Sequence, residues 1–257
     1  MSLGRERILA ALRAALEPLP FVHAFWEGGS AAFGRLDAYS DLDLHVDVPD
    51  DRVEDAFAAV DAALAALSPI ELRWRLADPT WHGHSQCFYR LKDAGPFLLV
   101  DFVVMKSSSQ SRFAERQRHG EPRVIFDKAG IVRTTDVDRG ALAERLAARR
   151  AEIETRMRLF APFVEKELLR GNHLAALEFY RGLVLAPLHE LVRSLHAPAS
   201  HDFGLRYARR DLPPAVVRRL EELAFVARPE DLRPRVAAAL AWLDEALAAA
   251  GAGSSMG

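Results

Sequence analysis

The segment 41–46 alternates polar and apolar residues in the order Asp, Leu, Asp, Leu, His, Val. Strict alternation is typical of a β-strand with two different faces, so Asp41 and Asp43 share one face. Two neighbouring carboxylates repel each other, and a cation between them lets both stay ionised. Mg²⁺ binds carboxylate oxygens together with substrate phosphates. The pattern indicates a metal site for phosphate chemistry; a solvated strand face is the alternative for this pair taken alone.

A Gly-Ser step follows the apolar run 21–26. If Ser30 opens a short helix, the backbone N–H groups of its first turn and its hydroxyl are ready for an anion. Gly29 lets the backbone approach such a ligand closely. Arg35 stands between this step and the acidic pair, where it either meets a triphosphate or is a surface arginine. A strand-to-helix turn without a ligand is the alternative interpretation of the Gly-Ser step.

A third carboxylate, Asp101, stands in the otherwise apolar run 97–104. A carboxylate inside such a run is costly unless it is paired or binds a metal. Pairing with Arg73, Arg75 or Arg90 is the alternative to a functional role. The three signals gain weight from occurring together, because they specify one geometry.

The residues from Gly29 to Asp43 form the pattern Gly-Ser-x-x-x-Gly-x-x-x-x-x-Ser-Asp-x-Asp. It resembles the signature of the DNA polymerase beta-like nucleotidyltransferase superfamily. The compact spacing is similar to that of the bacterial branch with aminoglycoside and lincosamide nucleotidyltransferases. The resemblance implies transfer of a nucleoside monophosphate from an NTP, with ATP favoured, to a hydroxyl of a small-molecule acceptor.

Roles for single residues follow from the resemblance. Asp41 and Asp43 are expected to bind one or two Mg²⁺ ions, and Gly29 and Ser30 to bind the outer phosphates of the NTP. Asp101 is expected either to complete the metal site or to act as general base.

The hydrophobic pattern predicts an α/β (α+β) domain with a mixed sheet over 1–135 and an all-α helical bundle over 136–250. Residues 251–257 are predicted to be a flexible tail. In the first domain we expect helices over 3–16 and 50–67, strands over 21–26, 41–48 and 70–76, a hairpin over 86–105 and an edge hairpin over 124–132. In the second we expect helices over 141–170, 173–195, 213–226 and 231–250, with interruptions at Pro162 and Pro187.

The second domain is expected to line the acceptor site. The segment 173–195 is rich in large apolar residues and is expected to be central. Its polar residues Glu178, Arg181 and His189 are either acceptor-binding residues or ordinary packed polar groups. In the first domain, His82 and His84 stand two apart in a loop, where a solvated loop is favoured over a metal site.

Composition limits the partners. The 257 residues have a formal net charge of −2, so there is no basic field for nucleic acid. Cys87 is the only cysteine, which rules out an intramolecular disulfide and fits a reducing cytoplasm. We expect neither a signal peptide nor a membrane span. No pattern indicates an oligomeric state.

Two alternative functions remain beside transfer to a small molecule. One is a nucleotidyltransferase that modifies protein or RNA, of the toxin–antitoxin type. The other is a non-catalytic nucleotide-binding module.

Overall fold

The computed structural model describes residues 3–78, 80–110 and 112–254. It divides into two compact units, Met1–Val137 and Asp138–Gly257. The first unit contains a sheet with helices and the second contains helices, so the predicted fold class is confirmed. The last helix runs to Ser254, and residues 255–257 of the predicted tail lie outside the described residues.

A six-stranded mixed sheet forms the centre of the first unit. Its strands are β1 (Ala24–Glu27), β2 (Leu42–Val48), β3 (Ile70–Arg75), β4 (Ser85–Leu91), β5 (Val100–Lys106) and β6 (Arg123–Asp127). The strand order is β3-β4-β5-β2-β1-β6. The central neighbours β2 and β5 run parallel, and the other neighbouring pairs are antiparallel.

One face of this sheet holds the main core. The helices α1 (Arg5–Leu16) and α3 (Val53–Leu67) contribute their apolar stripes to it. The apolar positions of β2 all point to this side, which leaves the alternate positions Asp43, His45 and Asp47 for the other face. The buried apolar residues of β2 are Leu42, Leu44, Val46 and Val48.

The other face of the sheet is partly covered. A small apolar cluster of β1 and β5 side chains lies there, packed against Phe113 and the segment 131–132. Short helices α2 (Gly29–Ala32) and α4 (Arg116–His119) complete the unit.

Strand β3 does not bury its apolar face. The sequence places Leu72 and Trp74 on one face and Arg73 and Arg75 on the other. In the structure Leu72 and Trp74 are 60% and 65% exposed. The Arg75 guanidinium instead lies 3.7 Å from the ring centroid of Phe57 on α3. The arginine stems therefore cover the core at this edge of the sheet.

The predicted edge hairpin over 124–132 is wrong. Strand β6 pairs with β1, and residues 131–132 form no strand. The Asp127 carboxylate accepts hydrogen bonds from the backbone N–H groups of Ala129, Ile131 and Val132, which turns this segment into a compact loop. The polar side chain replaces the ladder bonds that a returning strand would need.

The second unit is helical. Its main helices are α5 (Arg139–Phe160), α6 (Pro162–Leu169), α7 (His173–Phe179), α8 (Ala186–His196), α9 (Ala208–Asp211), α10 (Pro214–Ala224) and α11 (Leu232–Ser254). The predicted interruptions are present: α6 begins at Pro162, and a π-helical turn, Tyr180–Leu185, precedes Pro187. None of the helices in the described part of the chain has the length and apolar character that crossing a membrane requires.

Candidate active site

Asp43 and Asp101 are register partners on the parallel strands β2 and β5. Side chains of directly opposite residues lie on the same face of a sheet. The structure thus places two carboxylates beside each other, and both residues are half-buried. Strands that are far apart in the sequence create this pair.

The Gly-Ser turn lies against the same carboxylates. The Gly28 N–H donates to the Asp43 carbonyl oxygen at 2.8 Å. Gly29 has a φ of +53°, and a Cβ at this position would overlap the Asp43 carboxylate. Glycine is therefore required here both by backbone conformation and by space. Gly29 and Ser30 begin α2, as predicted, although this helix has only four residues.

Asp101 is held by a polar chain that the sequence did not reveal. Gln86 Nε2 on β4 donates to Asp101 Oδ1 at 2.7 Å, and Gln86 Oε1 lies 3.0 Å from His82 Nε2. The His84 backbone N–H donates to His82 Nδ1, so the Nε2 of His82 carries the proton that Gln86 accepts. The amide donor thus orients the carboxylate of Asp101.

The arginines proposed as alternative partners of Asp101 pair with other acids. Arg73 binds Asp61. The other two pairings are Arg75 with Glu54 and Asp78, and Arg90 with Glu71. The hydrophobic run around Asp101 carried no signal for Gln86, because strand register is set by long-range pairing.

Asp41 lies just before β2 and is exposed. Its carboxylate accepts from the Leu99 N–H at 3.3 Å, and its carbonyl oxygen accepts from the guanidinium of Arg5. Arg5 also pairs with Glu27, a buried carboxylate on β1 that Arg123 contacts from the other side. Arg5 thus connects the start of β2 to the buried Glu27 carboxylate, a role that no sequence pattern indicated.

The carboxylates fit magnesium, but they do not form a closed cage. Within residues 3–78, 80–110 and 112–254, no group of three or more His, Cys, Asp or Glu side chains is arranged to hold a metal ion. Mg²⁺ needs fewer protein ligands, since one or two carboxylates and the substrate phosphates hold it. The adjacent oxygen ligands of Asp43 and Asp101 meet that requirement.

The structure places two further residues of the motif region, Arg35 and His45, against aromatic rings. Arg35 is exposed, and its guanidinium lies 5.2 Å from the ring centroid of Phe33. His45 follows the carboxylates on the same face, but its ring stacks on Trp26 with centroids 5.5 Å apart. The ring contacts of His45 are therefore aromatic. Binding of nucleotide by Arg35 stays a prediction.

His45 belongs to a cluster around Phe113. The rings of His45, His82, His84 and His119 all lie between 5.1 and 5.7 Å from that of Phe113. Burial, with a smaller contribution from the neighbouring histidines, lowers the pKa of His45 to about 3. His45 is therefore neutral at physiological pH. The solvated loop favoured for His82 and His84 is wrong for His84, which is buried.

The predicted acceptor residues of the helical unit do not share one environment. Glu178 and Arg181 are exposed, whereas His189 is buried. Burial lowers the pKa of His189 to about 4, with a smaller effect of Arg193. Their part in acceptor binding stays a prediction.

Comparison with known proteins gives weak similarities. No protein-family model matches the sequence, and no curated protein matches it. An aminoglycoside 6-adenyltransferase from Bacillus subtilis aligns with 98% of this chain and 92% of its own, at 13% identity and a TM-score of 0.38. A nucleotidyltransferase-like protein from Exiguobacterium sibiricum aligns with 96% of this chain and 75% of its own, at 17% identity and a TM-score of 0.38. Both names belong to the class that the motif resembles, but similarity at this level carries no argument about function.

Proposed function

We propose that the chain is a nucleotidyltransferase that moves a nucleoside monophosphate from an NTP to a hydroxyl of a small-molecule acceptor. The observation that carries the proposal is the Asp43–Asp101 pair with the Gly29 turn against it. Adjacent carboxylate oxygens from two neighbouring strands are ligands for a divalent cation that also binds substrate phosphates. Gly29, where a Cβ would overlap the Asp43 carboxylate, packs closely against that carboxylate. Such close packing is typical of a preorganised site.

Asp43 and Asp101 would hold Mg²⁺, and the ion would neutralise charge on the triphosphate. A ligand role for Asp41 stays a prediction. Gln86 orients the Asp101 carboxylate. Of the two roles predicted for Asp101, its register pairing with Asp43, where both carboxylates can reach one ion, supports metal binding over proton transfer. The Gly29-Ser30 turn would bind the outer phosphates on the β1 side of Asp43.

The reaction joins the acceptor oxygen to the α-phosphorus. The bond between the α-phosphorus and the oxygen that bridges to the β-phosphate breaks, and pyrophosphate leaves with that electron pair. The hydroxyl proton passes to solvent. The protein residues contribute orientation of the triphosphate and stabilisation of its charge.

The first test is calorimetry with Mg·ATP and Mg·GTP. We expect binding that requires Mg²⁺ and is lost in Asp41→Asn/Asp43→Asn and in Asp101→Asn. Asp51→Asn, at an exposed residue of the 3₁₀ turn Asp50–Arg52, is the matched control and should bind normally. Binding of Mg·ATP by Asp101→Asn with the natural affinity would contradict the metal-ligand role.

The second test is turnover with α-³²P-ATP and a panel of acceptors: kanamycin, lincomycin, phenyl glucoside, a small RNA and a mixture of proteins. Label on a small molecule supports the proposal. Label only on RNA or protein would favour the toxin–antitoxin type, and metal-dependent binding without any transfer would favour a non-catalytic module.

A further inference from the structure

Four side chains form a straight row across the sheet on the face of the candidate site. Trp74 is the register partner of Phe88, Phe88 of Asp101, and Asp101 of Asp43. The row therefore consists of two aromatic rings on β3 and β4 followed by two carboxylates on β5 and β2. Its aromatic half played no part in the proposed chemistry.

The two rings are stacked, with centroids 5.7 Å apart and planes 29° from parallel. Trp74 is 65% exposed although it stands on an ordered strand, and the adjacent Leu72 is 60% exposed. Large apolar side chains that face water together mark a binding surface more often than isolated ones do. The rigid strand beneath them presents the indole face in a fixed orientation.

The position of the Trp74–Phe88 stack relative to the carboxylates indicates which substrate of the proposed reaction would bind to it. Displacement at phosphorus needs the attacking and leaving oxygens on opposite sides of the reacting phosphorus. The Gly29 turn, where the proposed leaving pyrophosphate lies, is on the β1 side of Asp43. The attacking hydroxyl must then come from the β4 side, where Phe88 and Trp74 lie.

We infer that the Trp74–Phe88 stack is the acceptor platform, and that the acceptor is a hydroxylated ring compound with an apolar ring face. The inference rests on the proposed function and deepens it. Strands lie about 4.8 Å apart, so Phe88 and Trp74 are roughly 5 and 10 Å from Asp101. An acceptor that packs along both rings and spans this distance thus brings one of its hydroxyls beside the carboxylates.

The test measures nucleotide binding and acceptor binding separately. In the natural protein, kanamycin, lincomycin or phenyl glucoside should change the Trp emission, and this change should be lost in Trp74→Ala. For whichever compound accepts label, Trp74→Ala should raise the acceptor KM about ten-fold, the loss expected from one aromatic stack. The affinity for Mg·ATP should stay unchanged, and Trp74→Phe should restore most of the acceptor affinity.

Trp81→Ala is the matched control, because Trp81 is 89% exposed and stands in the loop before β4, outside the row. Phe97→Ala tests a competing aromatic surface, since Phe97 is 62% exposed and precedes β5. An acceptor KM that rises in Phe97→Ala and not in Trp74→Ala would overturn the platform. So would an unchanged Trp emission with every ring compound.

A third result would also overturn the inference. Strand β3 is at the edge of the sheet, so the exposed rings would equally suit a second copy of the chain. A dimer in sedimentation that Trp74→Ala converts to a monomer, with acceptor KM unchanged, would identify an interface instead. Failure of the natural protein to bind Mg·ATP, in contrast, would reject the proposed function itself.

Discussion

Strand β2 carries two carboxylates on the same face that have opposite environments. Asp47 is 1% exposed and is fully compensated: His23 Nδ1 lies 2.8 Å away, Ser107 donates at 2.7 Å, and Arg112 forms an ion pair. Asp43, four residues earlier, is half-buried and has another carboxylate as its register partner.

The difference separates structural from functional charge. The partners of Asp47 come from the residue before β1 and from the segment after β5, and they hold the covered end of the face in place. At the Asp43 end the chain supplies a second acid and a glycine with no room for a side chain. We propose that this end of the face binds a metal ion, because adjacent carboxylate oxygens from two strands are ligands that Mg²⁺ takes together with substrate phosphates.

The largest effect is expected at Asp43. Asp43→Asn should lower nucleotidyl transfer about 10³-fold, because an ion that stabilises the transition state by several kcal/mol loses a ligand. The midpoint of urea unfolding should change less than in Asp47→Asn, because Asp43 is half-buried whereas Asp47 is 1% exposed. Steady-state kinetics and urea titration measure both. Unfolding of the variant at distinctly lower urea would make Asp43 a structural acid like Asp47.

Asp47→Asn should lower the unfolding free energy and leave the kinetics nearly unchanged, the reverse of the result expected for Asp43→Asn. Its removal leaves Arg112 without its buried partner and should cost roughly 3 kcal/mol of unfolding free energy, the lower end for a broken buried pair because Arg112 reaches water. The kinetics of the folded protein should be nearly unchanged. Urea titration against the exposed Asp51→Asn control measures the cost, and a loss below about 0.5 kcal/mol, as for ordinary surface changes, would contradict it.

A smaller effect is expected from two glycine substitutions that share the same backbone strain. Gly29 and Gly34 have φ values of +53° and +63°, but a Cβ on Gly34 meets no atom within 4 Å. Gly34→Ala should cost only the strain, about 1–2 kcal/mol. Gly29→Ala should also displace Asp43 and weaken Mg·ATP binding about ten-fold relative to Gly34→Ala, a loss near 1.4 kcal/mol. Equal affinities of Gly29→Ala and Gly34→Ala for Mg·ATP in calorimetry would show that the turn does not position the Asp43 carboxylate.

The smallest effect concerns pH. His45 is neutral in the folded chain down to about pH 3, while an unfolded histidine takes up a proton below about pH 6.5. The unfolded state therefore binds more protons in this window, and the unfolding free energy falls as the pH drops from 6.5 towards 3. His45→Gln should reduce the difference between the urea midpoints at pH 7 and pH 5. An undiminished difference would place the titrating groups elsewhere.

The sequence predicted what depends on local periodicity. The apolar stripe of Ile8, Leu9, Leu12 and Leu16 located α1, and the alternation after Asp41 located β2 and the face of its acids. These patterns are local because helix and strand repeats are set by the backbone. The hairpin of β4 and β5 was predictable for the same reason.

The rest depends on long-range pairing or on competing polar groups. Nothing local to Asp101 indicates that Gln86 will lie beside it, because the partner strand and its register decide that contact. The alternation of β3 indicates which residues share a face, but not which face packs on the core. In the structure the Arg75 side chain lies over Phe57, and Leu72 and Trp74 are exposed. The loop after β6 was predicted as a strand because a pattern of apolar residues does not indicate the hydrogen bonds that backbone N–H groups of the loop donate to the Asp127 carboxylate.

The parallel pairing of β2 and β5 also bears on the order in which the molecule matures. Parallel neighbours cannot be joined by a tight turn, so the intervening segment, with α3, β3 and β4, has to be laid down before β5 can dock. Contacts between distant parts of a chain close late in folding. A nascent chain that leaves the ribosome thus carries Asp43 long before it gains Asp101. The proposed activity should appear only when β5 docks on β2, so damage to the crossover would abolish it while every residue of the candidate site remains intact.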